Sequence, residues 1–260
     1  MTTTNTLAVT EIPEDRHWWF ASRVRAIHAV AAPLLSRNLR VLDVGCGAGN
    51  MMHHLARFGA VKGVEIDPRP LKRAQARGYD VKLADAGKGI PHADGQFDLV
   101  SVLDVIEHTK DDLAVLKECA RVLSPGGYLL VTVPAFMFLW GQNDVLNAHE
   151  RRYTAGELQR KIEAAGFRVT RLTYNNFFVF PLAALLILLR RRAQNEPQLR
   201  SHHFNEDEYQ VEMEPASPSV NTVLTLVGKV EAALLRGVSL PWGTSLIALA
   251  QKQANPTSRP

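Results

Sequence analysis

Residues 41–49 constrain the fold of this chain more than any other segment. They read VLDVGCGAG, an apolar run that passes into glycines at 45, 47 and 49. Glycine takes positive φ at no steric cost, so such a segment can turn tightly and let a ligand approach the backbone. The pattern predicts a strand, a turn and a helix start. In open α/β sheets, ligands bind outside the carboxyl ends of the strands, where this turn would lie.

Short β-rich runs alternate with helical patterns through most of the chain. The predicted strands are 40–44, 61–66, 79–83, 97–103, 128–133, 167–174 and a last one at 243–250. The predicted helices are 15–36, 50–58, 70–77, 111–123 and 154–165, with a turn at 125–127. Such alternation predicts an α/β fold, a parallel sheet with helices on both faces.

Composition narrows the class of protein. With 46% hydrophobic and 22% charged residues, the 260-residue chain is typical of a globular protein. A net charge of +4 fits an anionic substrate or membrane surface but does not favour a nucleic-acid partner. Two distant cysteines give no disulfide framework, and the Thr-rich start lacks a signal-peptide pattern, so we expect a cytoplasmic location.

Acidic residues follow four successive predicted strands or lie at their ends. They are Asp43, Glu65, Asp85 and Asp104. A lone acid of this kind is usually a solvated turn residue, but four of them on one rim indicate a binding site. A carboxylate after the second strand can accept both hydroxyls of a ribose. Asp43 before the turn, and Asn50 in place of a third fingerprint glycine, argue against a dinucleotide pyrophosphate and suit a cationic ligand group.

The motifs together resemble a known family. They are VLDVGCGAGN at 41–50, VEID at 64–67, LADAG at 83–87, FDLVSVLDVIEH at 97–108 and RVLSPGGYLLVTVP at 121–134. This set resembles the class I S-adenosylmethionine-dependent methyltransferases, especially the branch that includes quinone-biosynthesis methyltransferases. The resemblance covers about residues 40–174 and the final strand. It implies a Rossmann-like, mostly parallel seven-stranded sheet with an antiparallel last strand.

The resemblance also implies the cofactor, S-adenosylmethionine, with S-adenosylhomocysteine as product. Gly45 and Gly47 would lie against its methionine part, Glu65 would bind the ribose, and Asp85 would lie near the adenine amino group. The full set of implied cofactor-binding residues is Asp43, Gly45, Gly47, Glu65, Ile66, Asp85, Ala86 and Asp104.

Two histidines are candidate catalytic residues. His108 and His149 follow the fourth and fifth strands, and a histidine base would help if the acceptor is a hydroxyl. Together with Asp104 and Glu107 they could instead hold a divalent metal, as in some relatives. We favour a site without metal, because a Glu-His pair at this position also occurs in metal-free members of the family.

Four further residues are candidate substrate contacts. Trp18 and Trp19 are adjacent, so they cannot both face the core from one helix, and one of them could cover the acceptor pocket. Arg152 could pair with an anionic acceptor, with Tyr153 beside it. The structural alternatives are a tryptophan pair that only packs, and local ion pairs made by Arg151 and Arg152.

The segment between the last two strands sets this chain apart from a minimal member of the family. Residues 177–189 are apolar all round and end in three arginines, 194–219 are polar, and 220–235 form an amphipathic pattern. The apolar run is shorter than the roughly 20 residues that span a bilayer. The helices could form a structural lid or dimer interface, or a cap at the membrane face that admits a lipid-linked acceptor.

The predicted organisation has three parts: a tail and covering helix at 1–36, a methyltransferase domain at 37–174 plus 243–252, and a helical insertion at 175–242. The favoured function is O-methylation of a hydrophobic or lipid-linked acceptor, with peripheral membrane contact. Three alternatives stay open: C- or N-methylation of a soluble small molecule, a NAD-dependent oxidoreductase, and a non-catalytic binding protein on the same fold.

Overall fold

The computed structural model describes residues 13–141, 144–145, 147–193 and 217–253, without the side chains of 13–14 and 190–193. Seven strands form one sheet in the order β3-β2-β1-β4-β5-β7-β6. The pairs from β3 to β5 are parallel, and β7 runs antiparallel to both β5 and β6. The predicted α/β class and the antiparallel last strand are therefore confirmed.

The strands are β1 Leu39–Val44, β2 Gly59–Glu65, β3 Asp80–Leu83, β4 Phe97–Leu103, β5 Leu123–Pro134, β6 Phe167–Asn175 and β7 Ser245–Lys252. The helices are α1 Trp18–Ala31, α2 Met52–Leu55, α3 Pro68–Ala76, α4 Asp112–Val122, α5 Ala155–Ala164, α6 Phe180–Ala193 and α7 Pro218–Leu235. Short 3-10 helices lie at Pro13–Arg16, Ile106–His108 and Met137–Leu139. Chain order reverses between β1 and β4, which is where open α/β sheets bind their ligands.

Polar side chains fix where the helices on the rim begin. Asp67 accepts the Arg69 N–H at the start of α3, and Asp111 accepts the Ala114 N–H at the start of α4. Thr154 and Glu157 form a reciprocal capping box on α5. Such caps satisfy amide groups that the first helical turn leaves without partners.

Alternate side chains of the strands build two cores, one on each face of the sheet. Leu42, Val100 and Val131 belong to the core beneath α4 and α5. Val41 and Leu99, each one position away from one of these residues, belong to the core beneath α1 and α7. Successive strand side chains point to opposite faces, so these continuous apolar runs are those of a sheet covered on both sides.

Three predicted strands or helices have wrong bounds. The helix expected at 15–36 is α1, Trp18–Ala31, and the chain turns at residues 32–34. The helix expected at 50–58 is only α2, because the N–H of Phe58 bonds the carbonyl of Leu55 and tightens the chain into a turn. Residues 125–127 fall inside β5 rather than before it. Phe97 pairs with Leu123 and Leu99 pairs with Tyr128, so the Pro-Gly-Gly stretch bulges out of the ladder.

Helices α6 and α7 lie between β6 and β7, and α7 packs along α1. Gly228 permits the crossing, since a Cβ there would lie 2.0 Å from Ser22 Oγ. Glu231, which interrupts the apolar stripe of α7, is buried and accepts the Asn176 N–H at 2.5 Å. Most of the predicted polar stretch at 194–219 falls outside the described residues. Among the described helices, none is both long and apolar enough to cross a bilayer.

Candidate functional site

The glycine turn leaves β1 in conformations that only glycine adopts easily. Gly45 and Gly47 have φ of 70° and 55°. A Cβ on Gly45 would lie 2.4 Å from Val105 Cγ2, so this position is also closed to side chains by packing. A Cβ on Gly47 would meet no atom within 4 Å. The backbone at Gly47 therefore borders open space.

Glu65 ends β2 and points at this turn. Its Oε2 accepts the Gly47 N–H at 2.8 Å, and its Oε1 accepts the N–H groups of Ile66 and Asp67 at 2.8 and 2.9 Å. A carboxylate offers about four lone-pair sites. Three are used here, so a ribose hydroxyl can add to Oε2 and a second hydroxyl would share or replace the bond to Gly47.

Asp43 lies beneath the turn and is nearly inaccessible, with 2% of its surface exposed. Burial raises its pKa to about 7, although the Ser101 hydroxyl donates to its Oδ1 at 2.7 Å and Arg23 opposes the shift. Near neutral pH, Asp43 is therefore poised between its neutral and charged forms. A bound cation would favour the charged form.

Asp104 is held by two residues that the sequence pattern did not indicate. Arg23 of α1 forms an ion pair with it, Nη2 to Oδ2 at 2.8 Å, and the Thr132 hydroxyl donates to Oδ1 at 2.8 Å. The residue takes φ of 55° after β4. Helix α1 thus reaches across the rim and balances one of its acidic groups.

The residues predicted to lie near adenine, Asp85 and Ala86, follow β3. Asp85 accepts the Gly87 N–H at 3.0 Å and pairs with Lys88, whose hydrogen bond lowers the pKa of Asp85. Ile66 is 62% exposed and Leu83 is 56% exposed. Exposed apolar side chains beside a carboxylate can pack against the flat face of an adenine base. Ala86 is partly buried against the core.

His149 lies after β5 and is linked through Asp144 to Arg152. Its Nδ1 is 2.8 Å from Asp144 Oδ1, and Asp144 also accepts Nε and Nη2 of Arg152 at 2.7 and 2.9 Å. Burial alone would raise the pKa of Asp144, but these partners hold it at about 2. Because the carboxylate is ionised, Nδ1 carries a proton, and Nε2 of a neutral His149 is a proton acceptor.

Glu107 is fully buried, and neither of its carboxyl oxygens has a hydrogen-bond partner among the described residues. Burial raises its pKa well above the ordinary range, so the neutral acid is favoured. The rings of His108 and His149 meet edge to face with centroids 4.6 Å apart. Ligand atoms of these three residues lie within 4.8 Å of one another. This donor set fits a divalent ion, whereas the fourth candidate, Asp104, is bound to Arg23.

The structure corrects one predicted substrate contact. Tyr153 is 2% exposed, and its hydroxyl donates to Asp112 Oδ2 at 2.8 Å. Lys161 and Arg151 pair with the same carboxylate at 2.8 and 3.0 Å. Tyr153 is therefore a core residue. Arg151 makes the local ion pair that was the structural alternative, and Arg152 does the same with Asp144.

The two tryptophans have different surroundings. The backbone N–H of Trp18 donates to Asn221 Oδ1 on α7 at 2.8 Å. Trp19 lies 5.6 Å from the Arg23 guanidinium and borders a cavity of about 10 Å³, together with Asp104, Thr132 and residues of β6 and β7. A cavity this small holds about one water. Trp19 and Arg23 thus cover the middle of the rim, whereas Trp18 joins α1 to α7.

Arg77 also stabilises the glycine turn, through contacts that were not predicted. Arg77, directly after α3, donates from Nη1 to the Ala48 carbonyl at 2.7 Å and to Asn50 Oδ1 at 2.5 Å. No motif marks an arginine 27 positions from its partner, so the sequence alone could not have indicated it.

Known methyltransferases resemble this chain in sequence and in fold. A family model described as a methyltransferase domain matches residues 42–131. The chain is 33% identical to a ubiquinone biosynthesis O-methyltransferase of Xanthomonas oryzae pv. oryzae over 131 residues, 44% of this chain and 55% of that protein. It is 31% identical to the enzyme of the same name from Thiobacillus denitrificans over 167 residues, 55% of this chain and 71% of that one. The match thus spans little more than half of the Xanthomonas protein.

Solved structures support the same fold. An S-adenosylmethionine-dependent methyltransferase from Mesorhizobium loti matches with a TM-score of 0.58 and 15% identity, covering 90% of this chain and all of that one (100%). At this identity the likeness concerns the fold alone. The sheet order, the glycine turn with Glu65 and the sequence relatives together show that the chain belongs to the class I S-adenosylmethionine-dependent methyltransferase family.

Proposed function

We propose that this protein transfers the methyl group of S-adenosylmethionine to an oxygen of a hydrophobic or lipid-linked acceptor. The observation that carries the proposal is the Glu65 carboxylate facing Gly47, where the backbone borders open space at the carboxyl end of β1. This arrangement offers a diol acceptor beside a turn that a ligand can approach closely. The apolar Ile66 and Leu83 are exposed next to it.

S-adenosylmethionine, when bound, supplies a methyl group on a sulfonium, whose displacement leaves a neutral thioether. The protein's part is to align the acceptor oxygen with that methyl group, and positioning alone supplies much of the acceleration. Trp19 and Arg23 cover the rim and limit the access of water. Nε2 of His149 takes the proton of the acceptor hydroxyl, while Asp144 stabilises the imidazolium that forms.

No step of this reaction requires a metal ion. Glu107, His108 and His149 are the residues that would hold one, and a divalent ion there would polarise the acceptor oxygen. We propose instead that Glu107 stays protonated and that His149 acts alone.

The nature of the acceptor is inferred from α6 and from the names of the relatives. Leu182, Leu185 and Leu189 on α6 are 61%, 53% and 51% exposed. This apolar surface suits the tail of a lipid-linked acceptor, and the arginines that follow in sequence suit anionic headgroups. Two relatives are named ubiquinone biosynthesis O-methyltransferase, and that name refers to the synthesis of a quinone. We therefore propose that the protein acts in the cytoplasm, at the inner face of the membrane.

The cofactor is tested by calorimetric titration with S-adenosylhomocysteine. We expect micromolar binding to the wild type and at least tenfold weaker binding to Glu65→Ala, a loss of about 1.4 kcal/mol. Glu163→Ala, an exposed glutamate on α5, is the matched control and should bind like the wild type. Absence of binding to the wild type would exclude the proposal and leave the non-catalytic alternative.

The base is tested by turnover with labelled methyl donor on lipid extracts. Removing a general base usually lowers kcat by about 10²–10⁴. We expect His149→Gln to show such a loss while its affinity for S-adenosylhomocysteine stays within twofold of the wild type. His92→Gln controls for the loss of an imidazole, because Nδ1 of His92 lies 3.2 Å from Gln96 Oε1 just before β4, at the end of that strand opposite the rim. Equal turnover in His149→Gln and wild type would remove His149 from the mechanism.

A further inference from the structure

A groove of about 860 Å³ lies on the outer side of α1, between the segment after α2 and the helix α7. Five basic residues line it: Arg25, Arg37, Arg57, Lys229 and Arg236. They come from three separate walls. Arg25 is on α1 and Arg37 follows that helix, Arg57 follows α2, and Lys229 and Arg236 lie on and just beyond α7. We call this feature the basic groove.

The described residues place no acidic partner on the five basic side chains of the groove. Within the part of the chain that the structure describes, none of the five cations takes part in an ion pair. Nη1 of Arg25 is buried without a hydrogen-bond partner. The carboxylate that lines the groove, Asp15, already bonds His53 and His54 at 2.9 and 2.8 Å.

His28 also lines the basic groove, and its pKa reflects this environment. Burial, together with the charges of Arg57 and His54, lowers the pKa of His28 to about 4. Burial also lowers the pKa of Arg25. A buried guanidinium nitrogen without a partner, such as Nη1 of Arg25, costs free energy that a bound anion would recover. The guanidinium fork matches the oxygens of a phosphate in both spacing and plane.

The basic groove lies away from the cofactor rim. The Phe58 carbonyl, at one wall, accepts the Leu39 N–H at 2.8 Å where β1 and β2 begin. The glycine turn and Glu65 lie at the opposite, carboxyl ends of the same strands. A ligand in the groove would therefore not occupy the site described above.

We propose that the basic groove binds a phosphorylated ligand, with phosphate oxygens on Arg25 and Arg57 and additional attraction from Lys229, Arg37 and Arg236. The walls also present the exposed apolar residues Ala32, Pro33 and Ala233, so the ligand carries an apolar part beside its phosphate. Two sources have this chemistry: a soluble phosphorylated metabolite and the headgroup of an anionic phospholipid.

The test uses inorganic pyrophosphate as probe, titrated calorimetrically into the full chain with S-adenosylhomocysteine present at saturation. The test variant is Arg57→Gln with Lys229→Gln, two exposed side chains whose loss leaves the cores intact. The control is Arg160→Gln, an exposed arginine on α5 at the other face of the sheet. We expect at least tenfold weaker pyrophosphate binding in the double variant, no change in the control, and unchanged affinity for S-adenosylhomocysteine in both.

A second arm identifies the source. Sedimentation with phosphatidylglycerol and phosphatidylcholine vesicles should show a preference for phosphatidylglycerol that the double variant loses if the ligand is a lipid headgroup. The same vesicle preference in variant and wild type, with weakened pyrophosphate binding, assigns a soluble ligand. Pyrophosphate binding that the double variant leaves intact would overturn the proposal. So would no binding of pyrophosphate to the wild type.

Discussion

Single residues at the rim show how burial changes the chemistry of a carboxyl group. Asp104 is ion-paired with Arg23, Asp43 is buried with a pKa of about 7, and Glu107 is buried with neither oxygen bonded. All three read as acidic in the sequence. Their roles differ because Arg23, Ser101 and the surrounding apolar groups reach them from other elements, and a motif does not contain that information.

Glu107→Gln tests whether this carboxyl group is neutral. A folded-state pKa raised above the unfolded value means that the folded protein holds the extra proton, so stability falls as pH rises above about 4.3. The slope for one such group reaches about 1.4 kcal/mol per pH unit. The glutamine variant lacks this loss, and we expect its free energy of unfolding relative to the wild type to increase from pH 5 upward.

Urea denaturation of both proteins between pH 4 and 8 measures this difference. Asp43 titrates in both proteins, so its contribution cancels. A pH-independent difference would show that Glu107 is ionised in the folded state.

At the scale of elements, the hydrophobic pattern of the sequence was sufficient to locate the strands. It was not sufficient to predict the helix ends and side-chain contacts around them. Runs such as LRVLDV and FDLVSVL are apolar and β-branched, and both became central strands. The prediction failed where one contact decides the outcome: α2 shortens before Gly59, and Glu231 turns inward to bond the Asn176 N–H. In the site, Arg23 and Thr132 were missed because 109 positions separate them in sequence.

Gly228→Ala tests the contact between α1 and α7. A Cβ at this position would lie 2.0 Å from Ser22 Oγ and 2.8 Å from Ser22 Cβ, so the helices would have to move apart. We expect a loss of about 1–3 kcal/mol, as for other overpacked sites. The gain in helix propensity, about 1 kcal/mol, opposes this loss.

Gly237→Ala is the matched control, because a Cβ there meets nothing within 4 Å. Its effect should stay within about 0.5 kcal/mol. Adding Ser22→Gly should restore part of the stability of Gly228→Ala. Urea midpoints that leave Gly228→Ala at or above the wild type would show that the helices do not cross this closely.

For the whole molecule, the degree of burial predicts how stability is distributed. The central strands have almost fully buried side chains, and α7 buries Leu235 and Glu231. On α6, none of the described side chains at 180–189 is buried. Local opening is least costly where few apolar contacts are lost.

We therefore expect amide hydrogen exchange to be fastest in α6, intermediate in α7 and slowest in β1, β4 and β5. Phospholipid vesicles should slow exchange in α6 if its apolar surface meets a membrane, and the strands serve as the internal control. Exchange in α6 as slow as in β4, without vesicles, would contradict this distribution.

The position of α1 has a consequence for how acceptors are selected. Ser22, which fits against Gly228 of α7, and Arg23, which pairs with Asp104 at the rim, are consecutive in the chain. An acceptor that needs more room than new rotamers of Arg23 and Trp19 provide would have to shift α1, which is packed along α7. Widening the opening at Trp19 and Arg23 would therefore strain the contact between Ser22 of α1 and Gly228 of α7. The size of molecule that the entrance admits is thus set jointly by the rim and by the insertion, two regions that lie some two hundred positions apart.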